Sequence, residues 1–279
     1  ETTNVQEQPN YSEWTHGVNH VLKRIQANEF EKIVLARKLK FQIPNNFPSY
    51  SFFEQLAQNE PNCSLFFIQN DPKNIFFSLT PERLFKKEGN SFEIDIIAGT
   101  RPTVSQFSQN QNYTDHLLSS TKDHSEHEYV LKGVFNTLKQ LSSDFTIKQK
   151  HTIIELAHVK HLKSIISGTL HQNSSEFDLI QKLHPTAAVG GYPQNIAKDT
   201  ILSIEPFNRG FYAGVGGIIS KDYSEFLVLL RSCLIHNDQL HQFSGAGIVE
   251  DSTAQLEWDE ITAKSNLYTT YIHDKEKVS

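Results

Sequence analysis

The sequence predicts an α+β fold with antiparallel sheets. Strand-like runs come in pairs joined by short turn signals, which is the pattern of hairpins. Helical patterns fall between groups of strands and not between single strands, which argues against a doubly wound parallel sheet. The glycine pair of Gly245-Ala246-Gly247, after a strand-like run, lacks the third glycine and the βαβ setting of a dinucleotide fingerprint. No internal repeat, low-complexity linker or domain boundary is visible, so residues 1–279 are read as one domain.

In chain order, residues 1–11 are polar and expected to be frayed. Ser12 is placed as the cap of a helix ending near Asn28, with Trp14, Val18, Val21, Leu22 and Ile25 on one side. Lys32–Arg37 reads as a strand, its apolar centre framed by two cations. Pro44-Asn45-Asn46 turns the chain into a short helix over Ser51–Gln58. Ser64–Gln69 and Asn74–Thr80 form an aromatic hairpin. Glu82–Lys87 and Phe92–Ala98 form a second, closed through Glu88-Gly89-Asn90. Residues 103–111 are polar and expected to be mobile, ahead of helices near 112–120 and 124–142. Thr146–Ile154 and Ala157–Ser167 are a further strand pair, followed by a helix over Ser175–Lys182. His184–Gly191 is a loop of small residues, and Gln194–Ile204 a helix. A β-meander is expected over Phe211–Ser220, Glu225–Ile235 and Gln239–Phe243, turning at Asn237-Asp238. The last helix should run from Thr253 to about Tyr271.

The chain has 26 Lys plus Arg against 32 Asp plus Glu, a formal charge of -6. No basic run suggests nucleic acid, and no cationic amphipathic stretch suggests a membrane surface. There is no run of about 18 apolar residues and no signal-peptide pattern. Cys63 and Cys233 lie far apart in apolar runs, which suits buried free thiols and a reducing cytoplasm.

Chemistry concentrates in Phe243–Lys264, FSGAGIVEDSTAQLEWDEITAK. Glycines 245 and 247 let a backbone come close to a ligand. On the helix that follows, Glu257, Glu260 and Lys264 share one face. Two carboxylates one turn apart can hold a hard cation such as Mg2+; the same pattern also suits a solvated face with a supporting Glu–Lys pair. Thr121–Glu128 opens a helix with acids and histidines in one turn, for which capping against the helix dipole is a sufficient reading. Lys32 is either an edge cation or, if buried, a base. Glu82 is either a surface acid or, if desolvated, a general acid. Arg231, within LVLLRSCLI, needs an anionic partner from the protein or from a ligand.

These motifs occur in a fixed order. KIVLAR (32–37), TPERLF (80–85), AGTRP (98–102), KDHSEH (122–127), LHPTAAVGG (183–191), EPFNRGFYAG (205–214), LLRS (229–232), GAGIV (245–249) and EWDEITAK (257–264) follow the order found in the chorismate-utilising enzymes. From about residue 12 on, the chain resembles that family, and within it the isochorismate synthases of the menaquinone or siderophore type. The resemblance implies antiparallel sheets packed together with helices on the outside. Relatives usually carry a longer N-terminal portion, beside which this chain looks truncated or compact. Amide-using relatives have glutamine where this chain has Lys32, and the aminodeoxychorismate branch has a lysine where it has Ala98, so water is the implied nucleophile. Thr103 departs from the arginine that many relatives carry after the proline.

The resemblance further implies a set of roles. Glu126 and Glu260, with Glu257 nearby, would hold Mg2+ against the ring carboxylate of chorismate. Lys32, neutral, would take a proton from water as it attacks C2, and Glu82, protonated, would protonate the departing C4 hydroxyl. Arg231 and Tyr212 would hold the enolpyruvyl carboxylate, helped by backbone N–H groups of Gly245, Ala246 and Gly247. Gly99 and Thr100 would line the ring pocket. His184 would lie near the ring or orient its loop, and Lys264 would pair with the metal-site acids. Without a cation those acids should repel one another and be mobile. Salicylate synthase, which adds pyruvate elimination, and a non-catalytic chorismate-binding subunit are the alternatives. The expected partner is chorismate alone, with no nucleic acid or membrane, in a cytoplasmic monomer or weak dimer.

Overall fold

The computed structural model describes residues 5–276. The chain opens with β1 (Gln6–Gln8), α1 (Tyr11–Gln26), β2 (Lys32–Gln42) and α2 (Ser49–Gln58). Two hairpins follow: β3 (Ser64–Asp71) with β4 (Asn74–Thr80), and β5 (Arg83–Glu88) with β6 (Ser91–Pro102). Helices α3 (Phe107–Ser119) and α4 (Thr121–Leu141) lead to β7 (Ser142–Glu155), β8 (Val159–Leu170) and α5 (Glu176–Leu183). Then come β9 (Gly191–Tyr192), α6 (Gln194–Ile204), β10 (Val215–Ile219), β11 (Tyr223–Val228), β12 (Ser232–His236), β13 (Gln239–Ile248) and α7 (Ala254–Glu276). Strands assemble into two antiparallel sheets. One has the order β1-β2-β13-β12-β4-β3, with β9 added to β2; the other has the order β10-β11-β5-β6-β8-β7. Among the described residues no helix is long and apolar enough to cross a membrane.

Alternation along β2 and β13 sorts their side chains between two faces. Ile33, Leu35, Ala246 and Ile248 pack with Trp14, Val18 and Val21 of α1, Ala197 and Ile201 of α6 and Ile261 of α7. The other face turns toward the second sheet, where Ala36 and Phe243 join Phe85, Ile94, Ile96, Val130 and Val134 in the largest apolar cluster. A third cluster, of Phe52, Phe53, Phe77, Ile235 and Tyr268, anchors α2 and α7 to the far end of the first sheet.

Three expectations are corrected. Residues 5–11 are ordered: β1 pairs with β2, and Asn10, not Ser12, caps α1 through reciprocal bonds with Glu13 of 3.0 and 2.9 Å. Residues 1–4 of the expected frayed segment lie outside the described residues. Residues 107–111 are helical within α3; Lys160 Nζ, reaching across from β8, donates to the Asn110 carbonyl at 3.2 Å and to Thr114 Oγ1 at 2.8 Å. That helix buries Leu117 alone, so it has no apolar stripe to betray it. Lastly, the meander does not exist as one sheet. Its middle run divides at Leu229–Arg231 into β11, in the second sheet, and β12, in the first.

Candidate active site

Two of the chain's crossings from one sheet to the other are direct, with no helix between the strands, and these two lie side by side. One is Thr80-Pro81-Glu82 between β4 and β5; the other is Leu229-Leu230-Arg231 between β11 and β12. They bond to each other: Val228 N–H donates to the Glu82 carbonyl at 3.1 Å, Leu79 N–H to the Arg231 carbonyl at 3.1 Å, and Ser78 Oγ to the Leu230 carbonyl at 2.5 Å. Tyr268 of α7 also donates its hydroxyl to the Arg231 carbonyl. Arg231 has φ 44°, a left-handed backbone that a non-glycine residue adopts only when its surroundings impose it. Where the sheets part, a pocket opens. Glu82, Gly99, Thr100, Glu126, Tyr212, Arg231, Gly245, Gly247 and Lys264 all line it.

Alternation along β13 explains which of the glycine-strip residues take part. Gly245 and Gly247 face the pocket, while Ala246 is buried with α1 and α7 on the opposite face. A side chain at Gly247 would have no room: its Cβ would sit 2.2 Å from Glu126 Oε1 and 2.8 Å from Lys32 Cε. At Gly245 the obstacle is the Tyr212 hydroxyl, at 2.7 Å. Gly99 sits at a register shift in β6 with φ 82° and a Cβ position 3.0 Å from Asp123 Cβ. Its loop is braced by Arg101, whose Nη2 lies 2.5 Å from Asp123 Oδ2. Thr103 is therefore not the residue that holds this turn.

Lys32 is wholly buried, with Nζ 3.1 Å from Glu126 Oε1 and, among the described residues, no hydrogen-bond partner in good geometry. Glu82 is also buried, and its carboxyl is pushed up to about 8, first by burial and then by the nearby Asp95; Lys32, Lys163 and Lys264 oppose the rise. Tyr212 stacks on Phe243 at 5.2 Å with planes 11° apart, and burial pushes its hydroxyl up to about 12. Arg231 finds its anion inside the protein: Nη1 is 2.9 Å from Glu60 Oε1, with both side chains buried.

The three candidate metal-holding acids are each met by a lysine. Lys32 faces Glu126, Lys122 Nζ lies 2.7 Å from Glu257 Oε1, and Lys264 Nζ lies 2.7 Å from Glu260 Oε1 while also donating to the Gly245 carbonyl at 2.8 Å. This answers the expected repulsion. Burial and the Glu260 charge push the Glu257 carboxyl up. Burial raises that of Glu260 too, but Lys264 and Lys122 outweigh it and hold it low. Both Glu257 oxygens are buried, with Lys122 as their charged neighbour, and the Gly247 cradle leaves Glu126 Oε1 against the strand. Such hard oxygen donors fit Mg2+, which keeps waters and takes ligand oxygens rather than needing an all-protein cage. Among the described residues no three acid, histidine or cysteine side chains converge to hold a metal unaided.

His184 does not enter this pocket. It lines a neighbouring cavity with Lys198 and Arg209, which shares only the walls Val189 and Tyr212 with the first. Sequence reasoning missed three contributors: Glu60, Lys122 and His161. Glu60 follows an unremarkable helix end, and Lys122 looked like part of a cap. His161 sits inside a strand run, where alternation opposite Thr100 was its only signal.

The sequence matches the chorismate binding enzyme family over residues 1–270. Isochorismate synthase MenF of Haemophilus influenzae is 32% identical over 252 residues, 90% of this chain and 58% of that protein. Isochorismate synthase DhbC of Bacillus subtilis is 31% identical over 271 residues, 94% of this chain and 68% of that protein. The structure of MenF, the menaquinone-specific isochorismate synthase from Escherichia coli, superposes with a TM-score of 0.89 at 29% identity, covering 97% of this chain and 63% of that one. The chain thus spans about six-tenths of the length of MenF-type relatives. Its ordered motifs, its two antiparallel sheets and the match over residues 1–270 together lead to one conclusion: the chain belongs to the chorismate binding enzyme family.

Proposed function

We propose that this chain is an isochorismate synthase, converting chorismate to isochorismate by adding water at C2 and releasing the C4 hydroxyl as water. The observation that carries the reading is the pairing of Lys32 and Glu82. A buried carboxyl that keeps its proton to about pH 8 lines the pocket at the sheet crossing, and a buried amine on the other sheet lies just behind the pocket wall, beside Glu126 and Gly247. In the reaction the C2–O bond forms, the ring double bonds shift and the C4–O bond breaks. Lys32 Nζ, in its neutral form, takes the proton of the attacking water, and Glu82 gives its proton to the leaving oxygen. Glu82 suits this role because burial keeps it neutral until the leaving group needs a proton.

Arg231, fixed by Glu60, and Tyr212 offer a cation and a hydroxyl to the enolpyruvyl carboxylate. Glu126, Glu257 and Glu260 would hold Mg2+, which when bound would neutralise the ring carboxylate. Those acids would then exchange one cation partner, a lysine, for another. We read the protein as a single catalytic domain acting in the cytoplasm as a monomer or weak dimer.

Incubation with chorismate, with and without Mg2+, followed by chromatographic separation of products, tests the reading. Isochorismate without pyruvate, dependent on Mg2+, supports it. Salicylate with pyruvate would move the chain to salicylate synthase. Tight chorismate binding without turnover would make it a binding subunit.

A further inference from the structure

We propose that the Glu205–Arg209 ion pair is a positioning clamp for substrate binding: it bridges a gap in the edge of β2 and fixes the pocket wall formed by Val34, Val189 and Tyr212. The identity of the substrate comes from the proposed function, whereas the clamp rests on the geometry alone.

The outer edge of β2 has no continuous partner. β9 pairs with it at Lys32 and Ile33, and β1 pairs with it at Lys38, Leu39 and Lys40; among the described residues no strand runs beside 34–37 on that edge. An uncovered edge leaves backbone groups to be satisfied by something else. Val34 N–H donates to the Gly190 carbonyl at 2.7 Å. Two further bonds come from side chains: Ala36 N–H donates to Glu205 Oε1 at 2.8 Å, and Arg209 Nη2 donates to the Val34 carbonyl at 2.8 Å. Glu205 in turn holds Arg209, with Nε 2.8 Å from Oε2 and Nη2 2.6 Å from Oε1.

Arg209 does more than cover an edge. Its Nη1 donates to the Val189 carbonyl at 2.8 Å, so one guanidinium bridges the carbonyls of Val34 and Val189. Two carbonyls only accept and cannot bond to each other, so a donor shared between them joins the strand to the 184–191 loop. The same guanidinium lies 5.8 Å from the centre of the Tyr212 ring. Val34, Val189 and Tyr212 all line the main pocket, whereas Arg209 lines the cavity next to it. Arg209 therefore acts on the substrate through this wall and does not touch it. Lys32 is anchored separately: it pairs with Tyr192 of β9, and the next residue, Ile33, pairs with Ile248 of β13. Glu82 is held at the sheet crossing, where its carbonyl accepts from Val228 N–H. Loosening the clamp should thus disturb the wall and spare the proton donor and acceptor.

Two variants probe the clamp. Arg209→Lys keeps the charge but loses the planar fork that serves Glu205 and both carbonyls at once. Glu205→Gln combined with Arg209→Met removes both charges together, so neither is left buried without its partner. In each we expect the KM for chorismate to rise about 10-fold, the worth of one lost hydrogen bond to a charged group. We expect kcat to stay within about threefold of the wild type. A merely structural pair would instead lower the folded fraction, which reduces the apparent kcat and leaves KM alone. A KM within about twofold of the wild type in both variants, or a fall in kcat at unchanged KM, would overturn the proposal. Amide hydrogen exchange of the unliganded protein reads the clamp without turnover. The Val34 amide should exchange about 10-fold faster in both variants, with the β12 amides unchanged. A Val34 amide as protected as in the wild type would also overturn it. A wild-type protein that neither binds nor turns over chorismate would instead sink the proposed function, and the exchange measurement would still judge the clamp.

Discussion

Replacing Gly247 with alanine tests whether the glycine strip exists to let Glu126 and Lys32 approach β13. In an ordinary strand the change should stabilise, since glycine costs about 0.5–1 kcal/mol relative to alanine. Here the new Cβ would lie 2.2 Å from Glu126 Oε1 and 2.8 Å from Lys32 Cε. Restoring normal contact requires a shift of roughly 1 Å in side chains packed at native density. Overpacking of this kind costs about 1–3 kcal/mol, so it outweighs the propensity gain. Glu126 is buried on α4 with Lys32 at 3.1 Å, and any retreat loosens that pair. We therefore expect Gly247→Ala to lower the unfolding free energy by about 1–2 kcal/mol in urea titration. Turnover of chorismate should fall by about 10²-fold, the usual effect of displacing a catalytic group by an ångström. A variant as stable and as active as the wild type would refute the close-approach argument.

Further predictions follow from other buried groups. Glu60→Ala strands the Arg231 guanidinium, which is 8% exposed, and should cost about 3–5 kcal/mol in urea titration, as unpaired buried charges do; a loss under about 1 kcal/mol would mean the pair is dispensable. Glu82 binds its proton up to about pH 8 in the native protein and to 4.5 in the unfolded chain. Native protein therefore holds the extra proton between those values, and the stability linked to Glu82 falls as pH rises through that window. Glu82→Gln should flatten that decline, and an unchanged pH–stability profile would show that Glu82 is not desolvated. The same proton predicts a wild-type kcat/KM that falls as pH rises through about 8.

The layout of hairpins and helices could be read from periodicity and turn residues because those signals are local. Glu88-Gly89-Asn90 and the aromatic runs around Phe66 and Phe77 specify their hairpins within a few residues. The sheet crossing at Leu229–Arg231 could not be read so. An apolar run looks the same whether it stays in one sheet or changes sheet, and the left-handed backbone of Arg231 is imposed by tertiary contacts. The glycines of β13 marked the pocket wall, yet the roles of Gly247 and Ala246 separated only when strand alternation was fixed by pairing with β2. Glu60 stayed invisible because its partner is 171 residues away. His184 was drawn toward the site by its motif, while the fold turns it into the adjacent cavity.

The most direct test of the account is Lys32→Gln, assayed for chorismate turnover and, by calorimetry, for chorismate binding in the presence of Mg2+. Lys32 is buried beneath Gly247 with its amine beside Glu126, where glutamine can fill the space but cannot accept a proton. Binding should survive while isochorismate formation drops by about 10²–10⁴-fold, the usual contribution of a general base. Hydration at the wild-type rate in Lys32→Gln would contradict it.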